Sequence, residues 1–299
     1  MTQWQSISTH ISETLGKDFQ IQQQHSIGGG SINSAYKVTG TDTHEYFVKL
    51  NSASLEFMFQ VEYDSLNELL QVMETDASIM QIPKPVCYGL TGNKGGNQSY
   101  LVLEYIPMTS HGDGRLMGQA LAQMHRVTAK QFGWYQDNII GSTPQSNQQH
   151  SSWLSFWREE RMIPQFKMLY DKGYKNYLKP LDEQLLAQLD RLLDEHNPEP
   201  SLLHGDLWSG NYAYDPQGKP VIFDPAIYYG DREADLAMTE LFGGFGADFY
   251  AAYNASWPLD SGYSQRKTLY NLYHILNHAN LFGTAYLNQA VGMLERLVG

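Results

Sequence analysis

Residues 202–211 read LLHGDLWSGN: an apolar pair, then His204, Gly205, Asp206 and, five residues further on, Asn211. Thirteen residues beyond Asn211 a second apolar run, VIFDP, delivers Asp224. A carboxylate can orient or deprotonate a hydroxyl, and carboxylate and amide oxygens together suit a hard divalent cation. Polar groups at the ends of hydrophobic segments also serve as caps and turn residues. Each residue taken singly fits that plainer use: Asp206 as a cap, Asn211 in a turn, Asp224 at a strand end.

Three further features lie upstream. SIGGGSINSAYKV puts Gly28, Gly29 and Gly30, followed by Ser31, just before a strand-like segment. Consecutive glycines let backbone N–H groups approach an anion, although many such triplets are simple turns. Asn33 stands where a glycine would complete G-x-G-x-x-G. Lys49 closes the apolar strand segment YFVKL. Glu62 lies four residues after Met58 and four before Leu66, inside the apolar stripe of its helix. A carboxylate there either reaches water at the edge of the stripe or needs a buried cation, and Lys49 is the obvious partner.

The order of these features narrows the choice. Phosphoryl transfer needs a carboxylate beside the attacking hydroxyl, oxygen ligands for Mg²⁺ and a cation on the phosphates. The kinase catalytic loop, H-R-D-x-x-x-x-N, with a metal-binding Asp on a following strand, has the spacing seen here. Gly-rich turn, strand Lys, helix Glu, H-x-D-x4-N and strand-end Asp occur in kinase order, which independent caps and turns do not explain. Gly205 replaces the Arg that pairs with a phosphorylated activation loop, DPA replaces D-F-G, and no A-P-E follows. The chain runs straight into IYYGDREADLAM, leaving no room for a peptide-docking segment. These departures indicate a small-molecule kinase without loop-phosphorylation control.

The elements that must hold these residues divide by composition. AYKVTG and HEYFVKL flank TDT as a hairpin, SYLVLEYI (99–106) is a further strand, and residues 55–75 form a helix striped by Met58, Leu66, Leu69 and Met73. Beyond Pro107 the pattern is helical in RLMGQALAQMHRVT, SWLSFWREERMIPQFKMLY, LDEQLLAQLDRLLDEH and most of 264–297, with a Gln/Ser-rich loop at 141–152. The expected fold is α+β, two-lobed and protein-kinase-like. A small antiparallel β-rich N-terminal ATP-binding lobe (1–106) precedes a large, mostly helical catalytic and substrate lobe (107–299), with the site expected in the cleft between them.

Bulk composition sets outer limits. The 299 residues can bury a large core, and a net charge of −12 makes nucleic acid and anionic membrane poor partners. That charge tolerates cationic substrates, although solubility alone accounts for it. One cysteine, Cys87, excludes an intramolecular disulfide and suits a reducing compartment. The opening MTQWQSISTH lacks a basic-then-apolar leader, and no run reaches membrane-span length, so a cytoplasmic protein is expected.

HGDLWSGN, DPAIYYGDREADLAM, GGGSINSAYKV and the WREERM helix together resemble the fructosamine kinase (ketosamine-3-kinase) family, relatives of the aminoglycoside phosphotransferases, over essentially the whole chain. The resemblance implies ATP- and Mg²⁺-dependent phosphorylation of the sugar 3-hydroxyl of ketosamines, free or on protein lysines, after which the adduct falls apart and frees the amine. Ribulosamine and erythrulosamine adducts are expected ahead of fructosamine. By the same resemblance Asp206 is the catalytic base or hydroxyl-orienting group, and Asn211 and Asp224 are Mg²⁺ ligands. Lys49 contacts the α/β-phosphates, positioned by Glu62; Gly28, Gly29, Gly30 and Ser31 form the phosphate loop; and the backbone of Glu104, Tyr105 and Ile106 holds adenine. Some relatives carry a cysteine in that loop, so Ser31 removes a thiol switch. His204 is expected to be a structural hydrogen-bonder, and Asp235 a cap bracing the HGD loop. Trp208, Tyr228 and Tyr229 are sugar-site candidates because flat rings pack on sugar faces, with packing of the lobe as the rival use. Asp231 or Glu233 is a candidate for the substrate ammonium, with Arg232 or solvent as the rival partner. The alternatives carried forward are a kinase of another hydroxylated amine, such as an aminoglycoside or choline-like compound, and a nucleotide-binding pseudokinase.

Overall fold

The computed structural model of the chain describes residues 2–28, 32–73, 79–92, 98–193 and 196–299. It divides into two compact units, residues 1–112 with 213–224 and residues 113–212 with 225–299.

The first unit opens with helix α1 (Gln3–Leu15), started by a capping box in which Thr2 and Gln5 satisfy each other's backbone N–H. Strands β1 (Ile21–Ile27), β2 (Ser34–Gly40) and β3 (Glu45–Ser52) follow, then helix α2 (Glu56–Met73) and strands β4 (Pro85–Leu90) and β5 (Gln98–Glu104). They form one antiparallel sheet in the order β1-β2-β3-β5-β4. β3 is therefore central, and Lys49 sits between Ala35 of β2 and Leu101 of β5. Ile7, Ile11, Phe19, Val38, Val48, Tyr100 and Val102 make the core on the α1 side. Met58, Leu66, Leu69 and Met73 are buried on α2, as the stripe requires.

The second unit begins with helix α3 (Gly114–His125) and the short pair β6 (Asn138–Ile140) and β7 (Thr143–Gln145). Helix α4 (Trp153–Phe156) continues through a π-helical segment (Trp157–Met162) into α5 (Ile163–Asp171), then α6 (Lys175–Leu178) and α7 (Leu181–Leu192). Strand β8 (Ser201–Leu203) leads into the HGD loop. β9 (Tyr212–Tyr214) and β10 (Pro220–Ile222) form a pair that from Ala213 onward lies in the stretch 213–224 belonging to the first unit, where Gln81 donates its N–H to the Pro220 carbonyl at 2.7 Å and accepts the Ile222 N–H at 3.1 Å. β11 (Tyr228–Gly230) returns antiparallel to β8, and α8 (Glu233–Leu241), α9 (Ala247–Ser256), α10 (Tyr263–Phe282) and α11 (Thr284–Val298) complete the chain. The fold is α+β, with an antiparallel sheet in the N-terminal part and helices in the C-terminal part. No helix among the described residues is long and apolar enough to cross a membrane.

Candidate active site

Lys49 is only 6% exposed, and an ammonium on a central strand must meet anions to remain charged. It meets two: Nζ lies 2.6 Å from Glu62 Oε1 and 2.5 Å from Asp224 Oδ1. Glu62 is delivered from inside the apolar stripe of α2, and of the two sequence alternatives, water or a cation, it takes the cation. Burial pulls the Lys49 pKa down, but the charges and hydrogen bonds of Asp224 and Glu62 outweigh it and leave the pKa raised. Burial, opposed by Lys49 and reinforced by the charge of Asp224, pushes Glu62 up. Two carboxylates around one ammonium leave an excess negative charge, and the Asp224 side chain is 47% exposed. That donor chemistry fits an additional hard cation at Asp224. Asp224 itself has φ 56°, a left-handed conformation that Asp tolerates better than most residues and that often marks functional backbone.

In the second unit β8 anchors the HGD loop: Leu202 and Leu203 are fully buried and pair with Tyr229 and Tyr228 of β11. Asp235, in the first turn of α8, binds the loop from below. Its Oδ2 accepts the His204 N–H at 2.7 Å and its Oδ1 the Gly205 N–H at 2.8 Å. His125 Nε2 donates to the same carboxylate at 3.1 Å, and its Nδ1 faces Tyr253 Oη at 2.8 Å. Burial works to raise the Asp235 pKa, but the His125 hydrogen bond and charge, His204 and the Gly205 amide hold it below the usual carboxylate value. Asp235 is thus the brace expected of it. His204, fully buried, accepts the Asp206 N–H on Nδ1 at 3.3 Å, a structural use of the ring.

Gly205 is fixed by geometry: φ is +82°, and a Cβ would lie 2.0 Å from the Ala226 carbonyl oxygen. The glycine standing where regulated kinases have Arg is what lets the loop touch the segment after Asp224. Asn211 spans the loop, its Nδ2 donating to the Asp206 carbonyl at 2.8 Å and to Asp206 Oδ2 at 3.2 Å. An amide oxygen such as that of Asn211 is a ligand type that suits a hard cation. Trp208, between them, is 37% exposed, and its backbone N–H donates to the Asp206 carbonyl at 3.2 Å.

Other expected residues have different surroundings. Tyr228 is 2% exposed, stacked on Phe156 at 5.5 Å with the Arg161 guanidinium 4.0 Å over its ring, so it packs the unit rather than facing a sugar. Tyr229 is half-buried and exchanges backbone hydrogen bonds with Gly133. Asp231, 1% exposed, accepts from His196 Nε2 at 2.6 Å and from Tyr270 Oη, and caps the Glu233 N–H at 3.0 Å. Glu233, equally buried, is held bidentately by Arg266 at 2.7 Å on both oxygens. The sequence reading offered Arg232 as their partner, but that guanidinium binds Tyr253 Oη and the carbonyls of Trp257 and Pro258. Asp231 and Glu233 are committed inside the unit and are not presented to a substrate in this structure.

At the end of β5 the Glu104 N–H donates to the Lys84 carbonyl at 2.8 Å, and Lys37 Nζ lies 4.5 Å over the Tyr105 ring; Ile106 is half-buried. A Cβ on Gly28 would meet nothing within 4 Å. Gly29, Gly30 and Ser31 lie outside the described residues. Asn33 accepts from Asn51 Nδ2 at 2.6 Å, tying the end of the loop to β3.

A buried amide network escaped the sequence reading. Gln145 Nε2 donates to the Ala226 carbonyl at 3.1 Å and to Asn138 Oδ1 at 2.8 Å, while Asn138 Nδ2 donates to the Ile227 carbonyl at 2.8 Å. Tyr273 Oη donates to Gln145 Oε1 at 2.6 Å, and Arg161 Nη2 to Asn147 Oδ1 at 2.8 Å. These groups clamp residues 226–227 against the HGD loop, where Ala226 N–H meets the His204 carbonyl at 2.8 Å. Arg161 comes from the π-helical WREERM segment; the amides come from a stretch whose composition says only loop.

Comparison with known proteins identifies the family. A family model described as fructosamine kinase matches residues 3–299. A probable ketoamine kinase of Synechocystis sp. is 45% identical over 98% of this chain and 96% of its own length. The chloroplastic protein-ribulosamine 3-kinase of Arabidopsis thaliana is 40% identical over 94% of this chain and 84% of its own. A crystal structure of a putative fructosamine-3-kinase from Haemophilus somnus superposes with a TM-score of 0.87 at 28% identity, covering 99% of this chain and 98% of that one. With the match of the family model over nearly the entire chain, and with a protein-kinase-like fold carrying the kinase-ordered residues, the chain is a kinase and belongs to the fructosamine kinase family.

Proposed function

We propose that this protein uses ATP to phosphorylate the 3-hydroxyl of ketosamine sugars, and so initiates removal of sugar from amines or protein lysines. The reading rests on family membership and on relatives named ketoamine kinase and protein-ribulosamine 3-kinase. The observation that carries it is the buried Lys49 ammonium held at 2.6 and 2.5 Å by Glu62 and Asp224, the charge arrangement that phosphoryl transfer requires.

In this reading Asp206 accepts the hydrogen bond of the sugar 3-hydroxyl and takes its proton as the oxygen attacks the γ-phosphorus. The bond from that phosphorus to the β–γ bridging oxygen breaks, and ADP leaves. The Asn211 amide, hydrogen-bonded to Asp206, holds the carboxylate in its rotamer, and Asp235 holds the loop. Lys49 pairs the α/β-phosphates, and Glu62 keeps it in place. Asn211 and Asp224 would hold Mg²⁺, which neutralises phosphate charge when bound. Trp208 offers a ring face to the sugar. Adenine recognition falls to the backbone of Glu104, Tyr105 and Ile106, with the Glu104 N–H already given to the Lys84 carbonyl, while Gly28 to Ser31 supply the phosphate loop. The chain's contribution is positioning and charge neutralisation. The protein's one thiol is buried, which accords with work in the reducing cytoplasm.

The test is a panel of ribulosyl-lysine, fructosyl-lysine and kanamycin with ATP and Mg²⁺. Transfer to the ketosamines, ribulosyl-lysine ahead of fructosyl-lysine, is expected. Transfer to kanamycin alone would overturn the substrate assignment.

A further inference from the structure

Trp208 does not stand alone. Its ring meets Phe242, at the end of α8, with centroids 6.4 Å apart; Phe242 meets His278 of α10 at 4.7 Å; and His278 meets Phe282 at 5.5 Å and Tyr286 of α11 at 5.0 Å. All five belong to the second unit. The two ends are open to solvent, Trp208 at 37% and Phe282 at 57% exposure. The Trp208 ring is seated by its own loop: a Cβ on Gly210 would lie 2.3 Å from it, so only glycine leaves the indole that position.

We propose that this row of rings is the subsite for the amine-bearing part of the substrate, a secondary ammonium followed by an alkyl stem. The proposal rests on the ketosamine reading above and deepens it. Every ketosamine carries its amine on the carbon beside the keto group, so a sugar lying on Trp208 near Asp206 has a cation and its carrier to place nearby. The row begins in the HGD loop itself, and ring faces attract ammonium groups and pack alkyl stems. His278 puts no opposing positive charge there. Its Nδ1–H donates to the His274 carbonyl at 2.8 Å, and burial draws its pKa down. A protein of net charge −12 adds a favourable long-range field for a cation.

The experiment compares kcat/KM for ribulosyl-Nε-lysine with that for 1-amino-1-deoxyribulose, the same sugar without a carrier. It uses the wild type, Phe282→Ala, Tyr286→Ala and the ring-retaining Phe282→Tyr. Preference for the lysine adduct is expected to fall about fivefold in each alanine variant, through KM, and to be retained in Phe282→Tyr. A preference within about twofold of wild type in both alanine variants, or an equal loss on both substrates, overturns the subsite. Wild type inactive on both substrates would instead overturn the ketosamine reading, and the subsite with it.

Discussion

Lys49 is the residue whose environment asks most of the sequence. Its ammonium is buried on a central strand, and Glu62 and Asp224 are the groups that keep it charged. Lys49→Met retains volume but strands Glu62 without its cation, and is expected to cost about 3 kcal/mol in urea unfolding. Adding Glu62→Gln to that variant should return part of the loss. A loss below about 1 kcal/mol in Lys49→Met would mean that the pair is solvated after all. This pairing was legible as one of two readings, because a carboxylate four residues from apolar neighbours on either side must either reach water or find a cation. Tyr228, Asp231 and Glu233 were not. Their types suit a sugar-amine site, but Phe156, Arg161, His196, Tyr270 and Arg266 claim them from distant points in the chain.

Among the elements, the HGD loop depends on glycine at one position and not at another. Gly205→Ala must clear the Ala226 carbonyl from a positive φ, and is expected to cost more than about 2 kcal/mol. Gly28→Ala has open space around it, and should leave stability within about 0.5 kcal/mol. Comparable denaturation midpoints for the two would contradict this account of the loop. The β2–β3 hairpin, α2, β5 and the long C-terminal helices follow their apolar periodicity and were readable. α1 was missed although Thr2 and Gln5 form a T-x-x-Q capping box, a signal present in the sequence. β1 was missed because five of its seven residues, among them three glutamines, face solvent, leaving no alternation to read. The Asn138–Gln145 clamp had no local signal at all, since its partners are backbone carbonyls some 80 residues away.

At the scale of the whole molecule, buried histidine sets a pH dependence. Burial depresses His274 to about 3, well below its ordinary 6.5. A depressed group contributes stability that is present above the unfolded pKa and lost as pH falls, so this contribution should decline from about pH 6.5 toward pH 3. Asp235, also held low, adds a further loss below about pH 4. His196, raised by Asp231 against its burial, has the opposite sign and loses its contribution as pH rises. Urea midpoints at about pH 7.5 and 5 should therefore fall less steeply in His274→Gln than in wild type. Equal slopes would remove His274 from the account.

The same catalytic assignment can be read in one experiment, phosphorus NMR of ribulosyl-lysine incubated with ATP and Mg²⁺, with Asp206→Asn alongside. A sugar 3-phosphate signal from the wild type is expected, with the rate reduced at least about a hundredfold in the variant and ATP affinity held within a few-fold. No sugar phosphate from the wild type, or near-full activity without the Asp206 carboxylate, would contradict the central claim.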